Sequence, residues 1–219
     1  MFRKANQPGI ITILHAEKKK PLNLWDKHLR EGELKRIIDP DLKNPVLELT
    51  GTNSLTNYIS CPADVKEVLG IRYPYLHMTI KTLPGKFFAF DVQILDDKGI
   101  RRRLRGTTVQ GFLDVQPFMS KIPMSLEEGW NEITIPLHHY TKDLYNTKYV
   151  ETLRIQIYAS CDVKRIYFSD KEYKERDLPK DSKIFDFEEV EEQVVPKKPE
   201  VNNNYFGIDL SSFLTFFAR

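Results

Sequence analysis

Hydrophobic and polar residues alternate in one short segment after another, and this two-residue period constrains the fold more than any other feature of the sequence. The alternation is clearest in residues 75–81, 88–94 and 153–159. It is typical of strands that bury one face. Turn sequences separate the segments, as in residues 94–100, where Gly99 can adopt the left-handed conformation of a bulged hairpin.

Many short strands with frequent turns favour a sandwich or a barrel over alternating strands and helices. We therefore predict that residues 1–185 form an all-β domain, a jelly-roll-like β-sandwich. One or two short helices are expected, at residues 138–146 and around residues 171–177. The hydrophobic share of 41% and the charged share of 29% are typical of a soluble globular protein.

Residues 186–219 differ in kind and form a C-terminal tail extension. They carry seven acids against three bases, a net charge of −4, which leaves residues 1–185 at +6 within the total of +2. Residues 186–204 are acidic and polar, and they have too little apolar surface to fold alone. We predict that they form a linker to residues 205–219, an aromatic-rich docking peptide.

Four apolar side chains of this peptide share one face if residues 208–217 are helical, because their spacing is i, i+3, i+4 and i+7. These candidate partner-binding residues are Leu210, Phe213, Leu214 and Phe217. The peptide either docks on a neighbouring protein or folds back over an apolar groove of its own domain. Our hypothesis is docking on a neighbour, but the sequence leaves both open.

Residue types that carry catalysis or bind metals are present, but not in a recognisable pattern. The five histidines lack the spacing of a zinc-binding helix, and Cys61 and Cys161 form no C-x-x-C motif. Cys61 precedes a proline and fits a small apolar residue at a strand end better than a nucleophile. We therefore expect a protein that is not an enzyme and that has no cofactor, bound metal or disulfide.

The most distinctive charged feature is a run of alternating arginines. In a strand, Arg101, Arg103 and Arg105 share one face, with neighbours about 7 Å apart. Guanidinium groups so arranged can bind carboxylates or phosphates. The alternative is a solvated edge strand that its charges protect from aggregation. We treat all three as candidate partner-binding residues, since a mildly basic domain suits an acidic partner such as tubulin or nucleic acid.

Short blocks of sequence, in their order and spacing, resemble the cilia- and flagella-associated protein 20 family. The likeness covers residues 1–178, nearly all of the predicted domain. Two segments depart from the family pattern, residues 106–114 and the tail 186–219. The blocks that carry the resemblance are residues 21–27, 46–53, 58–64, 69–71, 90–98, 129–131, 149–157 and 167–170.

The resemblance implies a jelly-roll sandwich similar in shape to carbohydrate-binding modules, and it brings no catalytic motif. It further implies a structural protein at the inner junction of doublet microtubules, where the B-tubule closes on the A-tubule. The implied location is the axoneme of the cilium or flagellum and the basal body. The implied partners are the α/β-tubulin lattice, a homologue of the parkin co-regulated gene product and other luminal inner-junction proteins.

Two other functions remain open at this point. A carbohydrate-binding type of module would need solvent-exposed aromatic residues on one concave face, and we predict that Trp25 and Trp130, the two tryptophans, belong to the core. A nucleic-acid-binding module would need aromatic residues interleaved with the arginines. Ile100 and Leu104 supply only aliphatic side chains there.

Overall fold

A computed structural model of the chain describes residues 1–4, 7, 9–109, 111–173 and the strand 202–205. These residues form fourteen strands, joined mostly by short turns. In chain order the strands are β1 (Ile10–His15), β2 (Asp26–Leu29), β3 (Gly32–Ile38), β4 (Pro45–Gly51), β5 (Asn57–Cys61), β6 (Tyr75–Thr82), β7 (Ala89–Asp96), β8 (Arg101–Thr107), β9 (Asp114–Val115), β10 (Met119–Pro123), β11 (Trp130–Pro136), β12 (Tyr149–Tyr158), β13 (Cys161–Ser169) and β14 (Asn202–Tyr205).

The strands pair into two seven-stranded sheets. Sheet A has the order β14-β11-β6-β13-β4-β3, and β1 also pairs with β13. Sheet B has the order β2-β5-β12-β7-β8-β10-β9. Most pairs are antiparallel, but β10 runs parallel to β8 and β14 runs parallel to β11. The prediction of an all-β sandwich is confirmed.

One α-helix, α1 (Leu137–Tyr145), connects β11 to β12, and Ser54–Thr56 forms a single 3-10 turn. The helix ends at Asn146, whose φ of 51° is a left-handed C-cap that asparagine tolerates. It matches the helix predicted at 138–146. Residues 171–173 are not helical, and the rest of the second predicted helix lies outside the described residues. Within the described part, no helix has the length and apolar character that crossing a bilayer requires.

The core forms where the inward faces of the two sheets meet, and β8 shows how the alternation builds it. Leu104 is buried while Arg103 is exposed. Gly106 is required where it stands, because a Cβ there would collide with the Phe90 ring and would lie 2.6 Å from Met124 Sδ. Trp25 and Trp130 are both buried, as predicted.

A second, smaller apolar cluster lies on the outer face of sheet A and consists of Leu42, Val46 and Trp130. Asp39 fixes the loop that covers it. The Asp39 carboxylate accepts hydrogen bonds from Trp130 Nε1 at 3.1 Å and from the backbone N–H of Leu42 at 2.9 Å, and it pairs with Lys81. Burial opposes ionisation of Asp39, but these donors outweigh burial and lower its pKa.

Asp162 lies on the same outer face of sheet A, and its interaction with Lys81 is weaker than that of Asp39. Its Oδ2 is 3.9 Å from Lys81 Nζ, and its side chain is 5% exposed. Burial raises the pKa of Asp162 to about 6, against the opposing effect of Lys81. The folded state therefore holds this proton more tightly than the unfolded chain, and the contribution of Asp162 to stability is lost as pH rises from about 4 through 6.

We expect Asp162→Asn to remove this pH dependence. The difference in unfolding free energy, variant minus wild type, should rise by about 2 kcal/mol between pH 4 and pH 7. Burial lowers the pKa of His77 to about 3, which gives an opposite slope below about pH 6.5, but that slope is common to both proteins and cancels. Urea unfolding at each pH measures the difference, and a constant difference would contradict the assignment.

Candidate partner-binding surface

The arginine strand β8 lies inside sheet B, between β7 and β10. It is therefore not the solvated edge strand that was one interpretation of its charges. The alternation itself is as predicted. Arg101, Arg103 and Arg105 share the outward face, and Arg102 and Leu104 are buried on the other. The three outward arginines nevertheless have different surroundings.

Arg105 is bound within its own sheet. Its guanidinium donates to both carboxylate oxygens of Asp91, at 2.7 and 2.8 Å, and to Tyr158 Oη at 2.8 Å. Asp91 is 3% exposed, and Tyr158 also donates to it at 2.9 Å. These hydrogen bonds, with Asp91 as the main cause, raise the pKa of Arg105. The Arg105 side chain is 20% exposed and therefore less accessible than that of Arg103, and a role in partner binding stays a prediction.

Arg102 has a structural role on the opposite side of the strand. It donates through Nε to Asp96 at 3.0 Å and through Nη1 to the Pro117 carbonyl, and its guanidinium lies 4.6 Å from the centre of the Tyr145 ring. Asp96 also accepts from two backbone N–H groups of the β7–β8 turn. Arg102 thus ties that turn to the end of α1 and to the segment before β10.

Arg101 and Arg103 remain on the surface. Both are exposed, and 45% of the Arg103 side chain is accessible, with its Nη1 3.8 Å from an Asp91 oxygen. The backbone N–H of Arg103 donates to the Phe118 carbonyl at 2.9 Å, so Phe118, which is 69% exposed, borders the arginines. We call Arg101, Arg103 and Phe118 the β8 patch.

A row of rings and charged groups crosses the outer face of sheet B, and sequence reasoning missed it. His28 stacks on Tyr58 with ring centres 4.5 Å apart, and Tyr58 contacts Tyr158 at 5.7 Å. The row continues through Asp91 to Arg105. The alternation places Asp91, Arg105 and Tyr158 on one face of their own strands. It does not show that five strands, β2, β5, β12, β7 and β8, bring these side chains together with His28 and Tyr58.

Both cysteines and two of the five histidines, His15 and His77, are buried. Cys61 ends β5, and burial raises the pKa of its thiol to about 12. Cys161 is buried as well, and both cysteines are free. His77 is held between the hydroxyls of Thr134 at 3.0 Å and Ser169 at 2.7 Å. In the part of the chain that the structure covers, no three His, Cys, Asp or Glu residues are grouped to hold a metal ion.

The predicted tail residues Leu210, Phe213, Leu214 and Phe217 lie outside the described residues. The part of the tail that the structure describes is β14, whose residues Asn202 to Tyr205 pair in register with Asn131 to Thr134 of β11. This strand crosses the predicted boundary between linker and peptide at 204/205.

Comparison with known proteins gives consistent matches. The model of the CFA20 domain matches residues 1–186. Cilia- and flagella-associated protein 20 of Paramecium tetraurelia is 49% identical over 185 residues, which cover 84% of this chain and 96% of that protein. The Chlamydomonas reinhardtii protein of the same name is 46% identical, with 84% and 97% covered. The one from Caenorhabditis elegans is 43% identical, with 84% and 91% covered.

Among solved structures, the family 11 carbohydrate-binding module of Clostridium thermocellum Lic26A-Cel5E aligns with a TM-score of 0.41 at 13% identity, over 77% of this chain and 99% of that one. The CBM22-1 xylan-binding domain of Paenibacillus barcinonensis Xyn10C aligns with a TM-score of 0.40 at 13% identity, over 77% and 100%. Because these TM-scores are low, the description of the architecture depends on the strand pairing of this chain and not on the similarity to those structures.

The names of the relatives describe association with cilia and flagella and no enzymatic activity. The family match and the identities over nearly the whole length of these relatives confirm the resemblance found in the sequence. The chain therefore belongs to the CFA20 domain family, together with cilia- and flagella-associated protein 20 of ciliates, algae and nematodes.

Proposed function

We propose that this protein is a structural component of the ciliary axoneme that bridges the A- and B-tubules at the inner junction of doublet microtubules. It binds the acidic tubulin lattice through the β8 patch. Its other partners are a homologue of the parkin co-regulated gene product and further luminal proteins of the junction. The protein performs no catalysis, and its effect comes from a modest interface repeated along a polymer.

Family membership supports the ciliary role, and the β8 patch supports the mode of binding. Arg101 and Arg103 are two exposed guanidinium groups on an interior strand, so pairing on both sides already fixes the backbone from which they contact a partner. The net charge of +6 on residues 1–185 favours approach to an acidic surface. The exposed Phe118 adds apolar contact area beside the charges.

The double variant Arg101→Glu/Arg103→Glu tests the patch. It should weaken co-sedimentation with salt-washed axonemal doublets by about tenfold or more, because sign reversal at a charge-complementary interface turns attraction into repulsion. Its melting temperature should stay within a few degrees of wild type, since exposed charges contribute little to folding.

Lys18→Glu/Lys19→Glu is the matched control, because it makes the same change in net charge at two exposed residues of the turn after β1. It should bind nearly as well as wild type. Equal loss in both variants would show that binding depends on overall charge and not on the β8 patch. Unchanged binding of the arginine variant would also refute the proposed contact.

A further inference from the structure

An apolar cleft lies between the two sheets, at the side where β10 is near the edge of sheet B and β11 is near the edge of sheet A. Its enclosed cavity is small, about 10 Å³, and the space around that cavity opens to solvent. Among the strands that the structure describes, only the two-residue β9 lies beyond β10 in sheet B, and only β14 lies beyond β11 in sheet A. The cleft is lined by Phe90, Leu104, Ile122, Met124, Ile135 and Tyr140, among others.

Tyr140 gives this cleft a polar group that lacks a partner within the described part of the chain. The residue is 4% exposed, and its hydroxyl makes no hydrogen bond to any described residue. Burial raises the pKa of this hydroxyl, so it stays protonated and able to donate. A buried hydroxyl without an acceptor destabilises the fold, and a segment covering the cleft would relieve this by offering a carbonyl or carboxylate oxygen.

β14 delivers the tail to this place. It runs parallel to β11, and its last residue, Tyr205, pairs with Thr134. The next residue of β11 is Ile135, which lines the cleft. The chain that follows Tyr205 thus starts at the side of the cleft, and residues 206–219 are long enough to cross it, since an extended chain spans about 3.3 Å per residue.

The composition of that chain fits an apolar groove. Residues 206–217 include Phe206, Ile208, Leu210, Phe213, Leu214, Phe216 and Phe217. Covering these side chains is favourable, because it removes large apolar surfaces from water. Both interpretations of the docking peptide predicted burial of these residues, and the direction of β14 favours the interpretation in which the groove belongs to the same domain.

We propose that residues 206–217 dock in cis over the cleft between β10, β11 and α1, with β14 as the clip that starts them there. The CFA20 domain match ends at residue 186, and the relatives are covered over 91–97% of their length without this tail. The docked peptide is accordingly an addition to the family domain. The proposal of docking in cis does not rest on the proposed axonemal function, because it can be tested on the isolated chain.

Disulfide trapping locates the peptide. Met124 lines the cleft and is 8% exposed. In the full chain, Met124→Cys is combined in turn with Phe206→Cys, Leu210→Cys and Phe213→Cys. Cys61 and Cys161 are buried and do not compete. The matched control replaces Met124→Cys with Val65→Cys, because Val65 is 76% exposed and lies in the loop after β5.

At least one tail position should form an intramolecular disulfide with Met124→Cys about tenfold or more faster than with Val65→Cys. Equal rates would mean a free tail and overturn the proposal. Disulfide-linked dimers as the main product would place the tail on a second copy, which also overturns it.

A second measurement is hydrogen exchange, in variants without introduced cysteines. In the full chain, Phe213→Ser/Phe216→Ser/Phe217→Ser should accelerate amide exchange in residues 119–124 by about tenfold or more, because their apolar cover is lost. Leu55→Ser/Phe87→Ser removes two exposed apolar side chains outside β9 and β10 and should leave that exchange unchanged. Unchanged exchange in the tail variant, together with weaker retention on axonemes, would indicate docking on a neighbouring protein and refute docking in cis.

Discussion

Arg105→Glu is expected to destabilise the domain by about 3 kcal/mol or more. The substitution removes a bidentate partner from the buried Asp91 and puts a second carboxylate beside it. It also removes the donor to Tyr158 Oη. Breaking a buried ion pair costs more than the pair itself contributes, because it leaves an uncompensated charge in a site that excludes water. Urea unfolding followed by circular dichroism measures the loss.

Arg103→Glu is the matched control, two residues away on the same face of β8. Its side chain is 45% exposed and lies 3.8 Å from Asp91, so the change in stability should be small. Similar losses in the two variants would contradict the division of the arginines into one structural residue and two surface residues. For the same reason, tests of partner binding should leave Arg105 unchanged.

Asp39→Ala is expected to lower the free energy of unfolding by about 3 kcal/mol, for a different reason. Asp39 is 1% exposed and accepts hydrogen bonds from Trp130, from Lys81 and from the backbone of its own loop. Its removal leaves the indole N–H and the ammonium group without this acceptor in a largely buried site. The cover over the Trp130 cluster should loosen, and faster amide exchange in residues 40–44 should accompany the loss of stability.

Asp41→Ala is the control for this effect, since Asp41 is 55% exposed and lies 3.4 Å from the same Lys81 ammonium. It should change stability little, because an exposed ion pair contributes little. Comparable losses from the two substitutions would show that Lys81 needs any nearby carboxylate, and not the specific hydrogen bonds that Asp39 provides to the loop and to Trp130.

The sequence alone determined the class of fold and much of its local structure. The two-residue period placed β6, β7 and β12, and the turn chemistry predicted the β7–β8 turn, in which Gly99 has a φ of 73°. The period also assigned the outward face of β8 correctly. These are local properties, because the direction of a side chain along a strand depends only on its position in the alternation.

The tertiary structure decided what lies beside each outward side chain. Arg103 and Arg105 look alike in the sequence, and only the register of β8 against β7 puts Asp91 directly opposite Arg105. In the sequence Asp39 looks like an ordinary turn residue, and only the fold places Trp130 of β11 where it donates a hydrogen bond to Asp39. The row from His28 to Arg105 likewise depends on four pairings among five strands, β2, β5, β12, β7 and β8. Such pairing is fixed by how two whole sheets pack, so a periodic pattern within one segment does not determine it.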